Sequence, residues 1–303
     1  VVLTGPEDAI RVYLRGGLGN QLFQYSAGRS ISRTTGKRLV LDTTLLPREP
    51  DSVGRASRWP FALGALNHKG TIQGRNQPSN KASNFARYLQ IQRFLGDKHP
   101  KFLIRRGIWA GEKNGYVPKE EDILKLRQIN TYATSLRFPS SIEDELEQMF
   151  AQVAPESQFA SKRFEEAQES DIVAVHLRLG DYVSLHETYG SLTVNYFEAA
   201  MSKARGADLW LFTEDKNAVP SDILRAINPS RVLDAADIES PLQNLALMSR
   251  CSTIVCSNST FSWWAAFLAG NRAKVIVPII EGRLNVHVPS MRRGGWLPIV
   301  VDL

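Results

Sequence analysis

The sequence predicts an α/β protein of two domains, each organised around a parallel sheet, and three observations carry that prediction. From Ile172 to Val277, short apolar, β-branched runs alternate with helix-length segments in regular succession, the grammar of a parallel sheet covered by helices on both faces. The N-terminus opens in the same way, with an apolar run, a glycine turn, a helix and a second apolar run. Finally, 303 residues of which 43% are hydrophobic supply enough apolar surface for two separate cores.

Taken in order, Ile10 to Leu14 is a strand, broken by Gly16, Gly17 and Gly19. Asn20 is placed to cap a helix running to about Thr35. Gly36 stops that helix before the strand Arg38 to Leu41. From Pro47 to about Tyr116 the pattern is weak, and only short helices are expected, at Phe85 to Phe94 and later at Glu120 to Gln128. Ile142, Leu146, Met149, Phe150 and Phe159 recur at roughly helical spacing, so helices over 142–168 lead out of the first domain and a boundary falls near 165. The expected domains are therefore 1–165 and 166–303. In the second, strands are expected at Ile172 to Leu177, Leu209 to Phe212, Arg231 to Leu233, Thr253 to Cys256 and Lys274 to Val277. The helices between them are Thr193 to Ala204, Ser221 to Ile227, Pro241 to Met248 and Phe261 to Leu268.

Lys plus Arg number 37 against 31 for Asp plus Glu, a net charge of +6 and a pI of about 9.3. That balance suits an anionic ligand. Nucleic acid is disfavoured, because the chain has no zinc-finger spacing, no RNP-like aromatic strip and no block of consecutive Lys and Arg. The two cysteines, Cys251 and Cys256, fall at a helix end and a strand end, and both read as buried thiols. No apolar stretch approaches the roughly 20 residues that cross a bilayer, so a soluble chain is expected. Because the first residue is Val1, an N-terminal piece carrying an anchor remains compatible with the sequence.

In a parallel α/β sheet, ligands bind beyond the carboxyl ends of the strands, and four segments stand there. Gly16, Gly17, Leu18, Gly19, Asn20 and Gln21 form a glycine-rich turn at a helix N-terminus, where amide groups and the helix dipole favour an anion. It is not a dinucleotide fingerprint, since Leu22 stands where the last glycine would be. His176, Leu177, Arg178, Leu179, Gly180, Asp181 and Tyr182 follow a strand in which His176 and Arg178 share a face. A guanidinium there can clamp a diphosphate and stabilise a departing anion. A salt bridge from Arg178 to Asp181, with His176 as a core residue, is the competing reading. Ser257, Asn258, Ser259 and Thr260 open a helix and can cap it or bind phosphate oxygens. The Asn258-Ser259-Thr260 sequon falls at a buried turn, where glycosylation is not expected. Trp263 and Trp264 belong to the core. Thr213, Glu214 and Asp215 place a carboxylate where ribose hydroxyls or a guanine edge can reach it. The sequence has no Asp-x-Asp pair and no His or Cys cluster at metal-ligand spacing, so no metal is expected and positive side chains must take its place.

Together, Gly16–Gln21 with Phe23, Gln24 and Tyr25, the run from His176 to Tyr182 and the run from Ser257 to Ala266 resemble the α-1,2-fucosyltransferases of glycosyltransferase family 11. The departures are Leu22, where Met is frequent, and Ser26, where Ala is frequent. The resemblance implies a GT-B-like arrangement, two Rossmann-like domains with parallel sheets flanking a cleft, the C-terminal one binding GDP-fucose and the N-terminal one facing the acceptor. It implies inverting transfer of fucose to a terminal galactose without a metal or other cofactor. Arg178 then binds the diphosphate, with Ser259 and Thr260 adding phosphate contacts. Asp181 is the nearest candidate base, and Asn20 resembles a position facing the reacting sugars in distant protein O-fucosyltransferases. Two alternatives stay open: another nucleotide sugar as donor, or a non-catalytic nucleotide- or glycan-binding protein. For location, the expectation is cytoplasmic, with peripheral membrane association, or the Golgi lumen if an anchor precedes Val1.

Overall fold

The computed structural model describes residues 8–46, 60–74, 101–110, 117–179, 192–204, 206, 208–238, 240–281 and 285–301. The chain divides into two compact units, Val1–Glu145 and Leu146–Leu303.

The first unit holds a five-stranded parallel sheet in the order β3-β2-β1-β5-β4. Its strands are β1 (Ala9–Tyr13), β2 (Arg38–Asp42), β3 (Thr71–Gln73), β4 (Ile108–Ala110) and β5 (Gln128–Asn130). Ile10 and Val12 of β1 are wholly buried and alternate with half-buried neighbours, as the two-residue period of a strand requires. Helix α1 (Leu18–Thr35) covers them. Its backbone comes so near at Gly28 that a Cβ there would lie 2.4 Å from Val12 Cγ2 and 2.8 Å from Leu39 Cδ1. Any larger residue would push the helix off the sheet. Helix α1 begins two residues before Asn20, with Gly17 as N-cap. Asn20 therefore sits inside the first turn and does not cap the helix, because the left-handed Gly16 (φ 75°) completes the turn earlier than expected.

The short helices Lys101–Arg105, Glu120–Ile123 and Arg137–Ser141 complete this unit. The helix expected over 120–128 ends at Ile123, because Gln128–Asn130 are taken into the sheet beside β1. Position alone hid β3, β4 and β5, each of three residues and too short to display a period. The expected helix at 85–94 lies outside the described residues.

The second unit holds a six-stranded parallel sheet, β11-β10-β9-β6-β7-β8. Its strands are β6 (Ile172–His176), β7 (Asp208–Phe212), β8 (Arg231–Leu233), β9 (Thr253–Val255), β10 (Lys274–Ile280) and β11 (Leu297–Val301). Read from the β8 edge, the strands run third, second, first, fourth, fifth, sixth, the doubly wound order of dinucleotide-binding domains. Every residue of β6 is buried, the signature of a central parallel strand covered on both faces. The covering helices include Val194–Lys203, Ser221–Ile227, Pro241–Met248 and Thr260–Ala269.

The division at 145 falls inside helix Glu143–Ala151, ahead of the boundary near 165 read from the sequence. Helix Gln158–Glu169 belongs to the second unit because its buried face packs there: Arg163 lies over Trp210 of β7 and Phe164 lies under Arg250. The strand β11, which the sequence reading passed over, pairs with β10 along its whole length. Trp263 and Trp264 are fully buried. Trp263 contacts Phe267 and Trp296 and donates its indole N–H to the Met291 carbonyl at 2.8 Å. Both cysteines are buried and free, and burial pushes the Cys251 thiol up to about 12. Among the described residues no helix is long and apolar enough to cross a membrane.

Candidate nucleotide-sugar site

In the second sheet, chain direction reverses its lateral progress between β6 and β9, which are hydrogen-bonded neighbours with Val175 opposite Val255. At such a switch point the connections leaving the two strands diverge to opposite faces and open a crevice at their carboxyl ends. The segment after β6 carries Arg178, and the segment after β9 carries Ser257 to Thr260. Two motifs about eighty residues apart in sequence thus leave the same sheet edge side by side.

A short hydrogen bond joins them. His176 Nδ1 and Ser257 Oγ are 2.6 Å apart, and the imidazole stacks on Phe261 at 5.4 Å between centroids. His176 is 5% exposed. Burial first, and the positive charge of Arg178 second, lower its pKa to about 3, so the ring is neutral. It links two strand ends and faces no open solvent.

Arg178 is held by Glu214, with Nη1 2.7 Å from Oε1. The other carboxylate oxygen of Glu214 accepts the Leu179 N–H at 2.8 Å. Thus Glu214, from the segment after β7, orients both the guanidinium and the turn behind it. In the competing salt-bridge reading the partner of Arg178 was Asp181, which lies outside the described residues together with Gly180 and Tyr182. Thr213 donates its N–H to the Leu233 carbonyl, and its buried hydroxyl makes no hydrogen bond among the described residues. Asp215 is exposed and accepts the Asn217 N–H, capping a short 3-10 turn. The structure therefore gathers His176, Arg178, Glu214 and the 257–260 segment, while Asp215 is spent on its own loop.

Within 257–260 the side chains divide their roles. Ser257, Asn258 and Ser259 are 1%, 3% and 4% exposed. The Ser257 hydroxyl meets His176, Asn258 Oδ1 accepts the Val286 N–H at 3.0 Å, and Ser259 Oγ accepts the Phe261 N–H at 3.2 Å. Ser259 is the N-cap of the helix Thr260–Ala269. Half-buried Thr260 and the first-turn amides, which have no intrahelical acceptor, form the outward part of the segment. With Arg178 they make a positive edge suited to phosphate oxygens.

The glycine turn of the first unit occupies the corresponding place in its own sheet, between β1 and β5. Arg15 N–H donates to Gln24 Oε1 at 3.0 Å, and Gln24 Nε2 donates to the Thr131 carbonyl at 3.2 Å. Gln21 Nε2 donates to the carbonyls of Gly16 and Pro60, and its oxygen accepts the Ala62 N–H. Arg15 stacks over Tyr132 at 4.6 Å. Asn20 is half-buried at this edge, its amide beside Gly16.

One residue of the second unit escaped the sequence reading. His287 is fully buried, and its Nε2 lies 2.8 Å from the Ser257 carbonyl. Its only sequence signal is a polar Asn-x-His run, Asn285 to His287, soon after an apolar strand, and that is too common to stand out.

Residues 129–290, more than half of the chain, match the family model described as Glycosyl transferase family 11. The protein belongs to that family. Among characterised proteins, the chain is 23% identical over 286 residues to the O-antigen biosynthesis glycosyltransferase WbnK of Escherichia coli, covering 87% of this chain and 91% of that one. It is 31% identical over 111 residues to the galactoside alpha-(1,2)-fucosyltransferase 2 of Rattus norvegicus, a match covering 34% of this chain and 31% of the rat protein. Among solved structures, the fucosyltransferase NodZ from Bradyrhizobium aligns over 86% of this chain and 93% of its own, at 16% identity and a TM-score of 0.43.

Proposed function

We propose that the protein transfers L-fucose from GDP-β-L-fucose to a hydroxyl of a galactose-containing glycan, O2 of a terminal galactose, with inversion and without a divalent metal. Family membership supports glycosyl transfer, and the galactoside fucosyltransferases among the relatives support the sugar and the acceptor. The observation that carries the reading is that the segments bearing Arg178 and the Thr260–Ala269 helix start leave the adjacent strands β6 and β9 and are joined by the His176–Ser257 hydrogen bond.

In this reading the acceptor hydroxyl attacks the fucose anomeric carbon from the face opposite GDP. The new C–O bond forms as the bond to the β-phosphate oxygen breaks, GDP leaves as an anion, and the hydroxyl proton passes to a base or to solvent. The transition state carries positive charge on the sugar ring and growing negative charge on the diphosphate. Arg178, pre-oriented by Glu214, and the helix amides stabilise the latter without reorganising, which is how fixed dipoles gain their catalytic worth. The β-linked donor and a single displacement together yield an α-fucoside.

The test is an incubation of the protein with GDP-fucose and galactose-terminated acceptors, with and without a chelator, reading product linkage. An α-1,2-linked fucoside formed equally in both arms is expected. Consumption of a different nucleotide sugar in place of GDP-fucose, or binding of UDP in preference to GDP, would refute the donor assignment.

A further inference from the structure

The β9-to-helix turn is gripped from a direction that the nucleotide-binding motifs do not explain. The Ser257 carbonyl accepts hydrogen bonds from the Ser259 N–H at 2.8 Å, from Ser262 Oγ at 3.2 Å and from His287 Nε2 at 2.8 Å. Of these donors, only His287 comes from outside the turn and its helix. The adjoining Val286 N–H donates to Asn258 Oδ1, so two consecutive residues of one segment hold two consecutive residues of the other.

That segment is itself anchored. Asn285 Oδ1 accepts the His287 N–H at 2.7 Å, and its amide nitrogen donates to the Pro278 carbonyl of β10 at 3.3 Å. Asn285, Val286, His287, Ser257 and Asn258 are each at most 6% exposed. A run of hydrogen bonds in so dry a setting has few competing arrangements.

The proton on His287 follows from the geometry. A carbonyl oxygen only accepts, so Nε2 carries the hydrogen. Nδ1 is buried and makes no hydrogen bond among the described residues. A proton there would have no acceptor, and the ring is the neutral Nε2–H tautomer. Opposite it, His176 meets the Ser257 hydroxyl, so one serine is clamped between two imidazoles, one on its side chain and one on its main chain.

From this we infer that His287 is a positioning residue of the donor site: its Nε2–H fixes the Ser257 carbonyl and thereby sets where the Ser259 cap, Thr260 and the first-turn amides stand. The inference rests on reading this edge as the diphosphate site. It adds a residue that touches no substrate and acts through the turn. Phenylalanine keeps the ring but deletes the donor, whereas glutamine carries an amide N–H that reaches the same oxygen.

The experiment measures GDP affinity by calorimetry, and thermal unfolding, for wild type, His287→Phe, His287→Gln and Ile227→Val. The last trims a buried methyl group from helix Ser221–Ile227, which contributes no hydrogen bond to the clamp, a general loss of stability with the turn's hydrogen bonds kept. Expected are a loss of about tenfold in GDP affinity for His287→Phe, as one net hydrogen bond of roughly 1.4 kcal/mol implies, recovery of most of it in His287→Gln, and wild-type affinity in Ile227→Val. Equal GDP affinity in wild type and His287→Phe would overturn the positioning role and leave the donor site standing. Failure of the wild type to bind GDP at all would bring down both. Nitrogen chemical shifts of the histidines in the wild-type protein give a readout that needs no variant: a proton found on Nδ1 of His287 near neutral pH ends the proposal.

Discussion

The two sheets place comparable turns at comparable points and spend them differently. Both have a strand, a tight turn and a helix leaving the switch point, at 13–18 in the first unit and 255–260 in the second. In the first, two fully buried glutamines, Gln21 and Gln24, tie the glycine turn to the carbonyls and amides around it. In the second, the tying is done by His176, Asn258 and His287 from beneath, and Arg178 brings a positive charge to the edge. The second edge carries a cation paired with an acid from a third strand end, Glu214, whereas Arg15 beside the glycine turn lies over the Tyr132 ring.

The sharpest way to break that contrast is Arg178→Ala. Loss of a preorganised contact to the leaving group typically lowers turnover about 10² to 10³ fold, and a loss of that size is expected in steady-state transfer assays. Thermal unfolding should fall far less than turnover, because Glu214, left behind at 30% side-chain exposure, is reached by water once the guanidinium is gone. Near-normal turnover would remove the second edge from the chemistry.

Acid titration sharpens the same contrast through the clamp. Unfolded imidazoles titrate near 6.5, while burial lowers His176 to about 3 and His287 to about 4. The unfolded chain therefore binds protons that the folded chain excludes. The stabilisation is fully present above pH 6.5 and is lost as pH falls, down to about 4 for His287 and about 3 for His176, by up to about 1.4 kcal/mol per pH unit for each ring. Denaturant titrations at several pH values should show this slope, reduced by one ring's share in His287→Gln. An unchanged slope in that variant would mean that His287 is not a buried neutral ring.

The smallest expected effect belongs to the first unit. Gly16→Ala forces a side chain into the left-handed region at φ 75°, with its Cβ 2.6 Å from Asn20 Nδ2 and 3.2 Å from Tyr132 Cε1. A cost of about 1–2 kcal/mol is expected from the backbone strain, seen as a lowered unfolding midpoint with GDP affinity intact. A loss of GDP affinity at constant stability would reverse the roles assigned to the two turns.

By itself the sequence determined the α/β class, most strands and helices of the second unit within a residue or two, and the Arg178 and Ser257 to Thr260 segments as neighbours of a sheet edge. Those features are written locally, in runs long enough to show a period and in residues that cap or turn. Only the tertiary structure decided the rest. The three-residue strands β3, β4 and β5 exist because adjacent strands pair with them, Arg178 meets Glu214 from the segment after β7, and helix Gln158–Glu169 sides with the sheet it packs on. The clamp on Ser257 draws on β6, β9 and the segment after β10, and β6 and β9 are sheet neighbours although β7 and β8 come between them in the chain. Hydrogen bonds across such distances depend on which strands lie side by side, and that choice is made by the burial of the whole apolar surface.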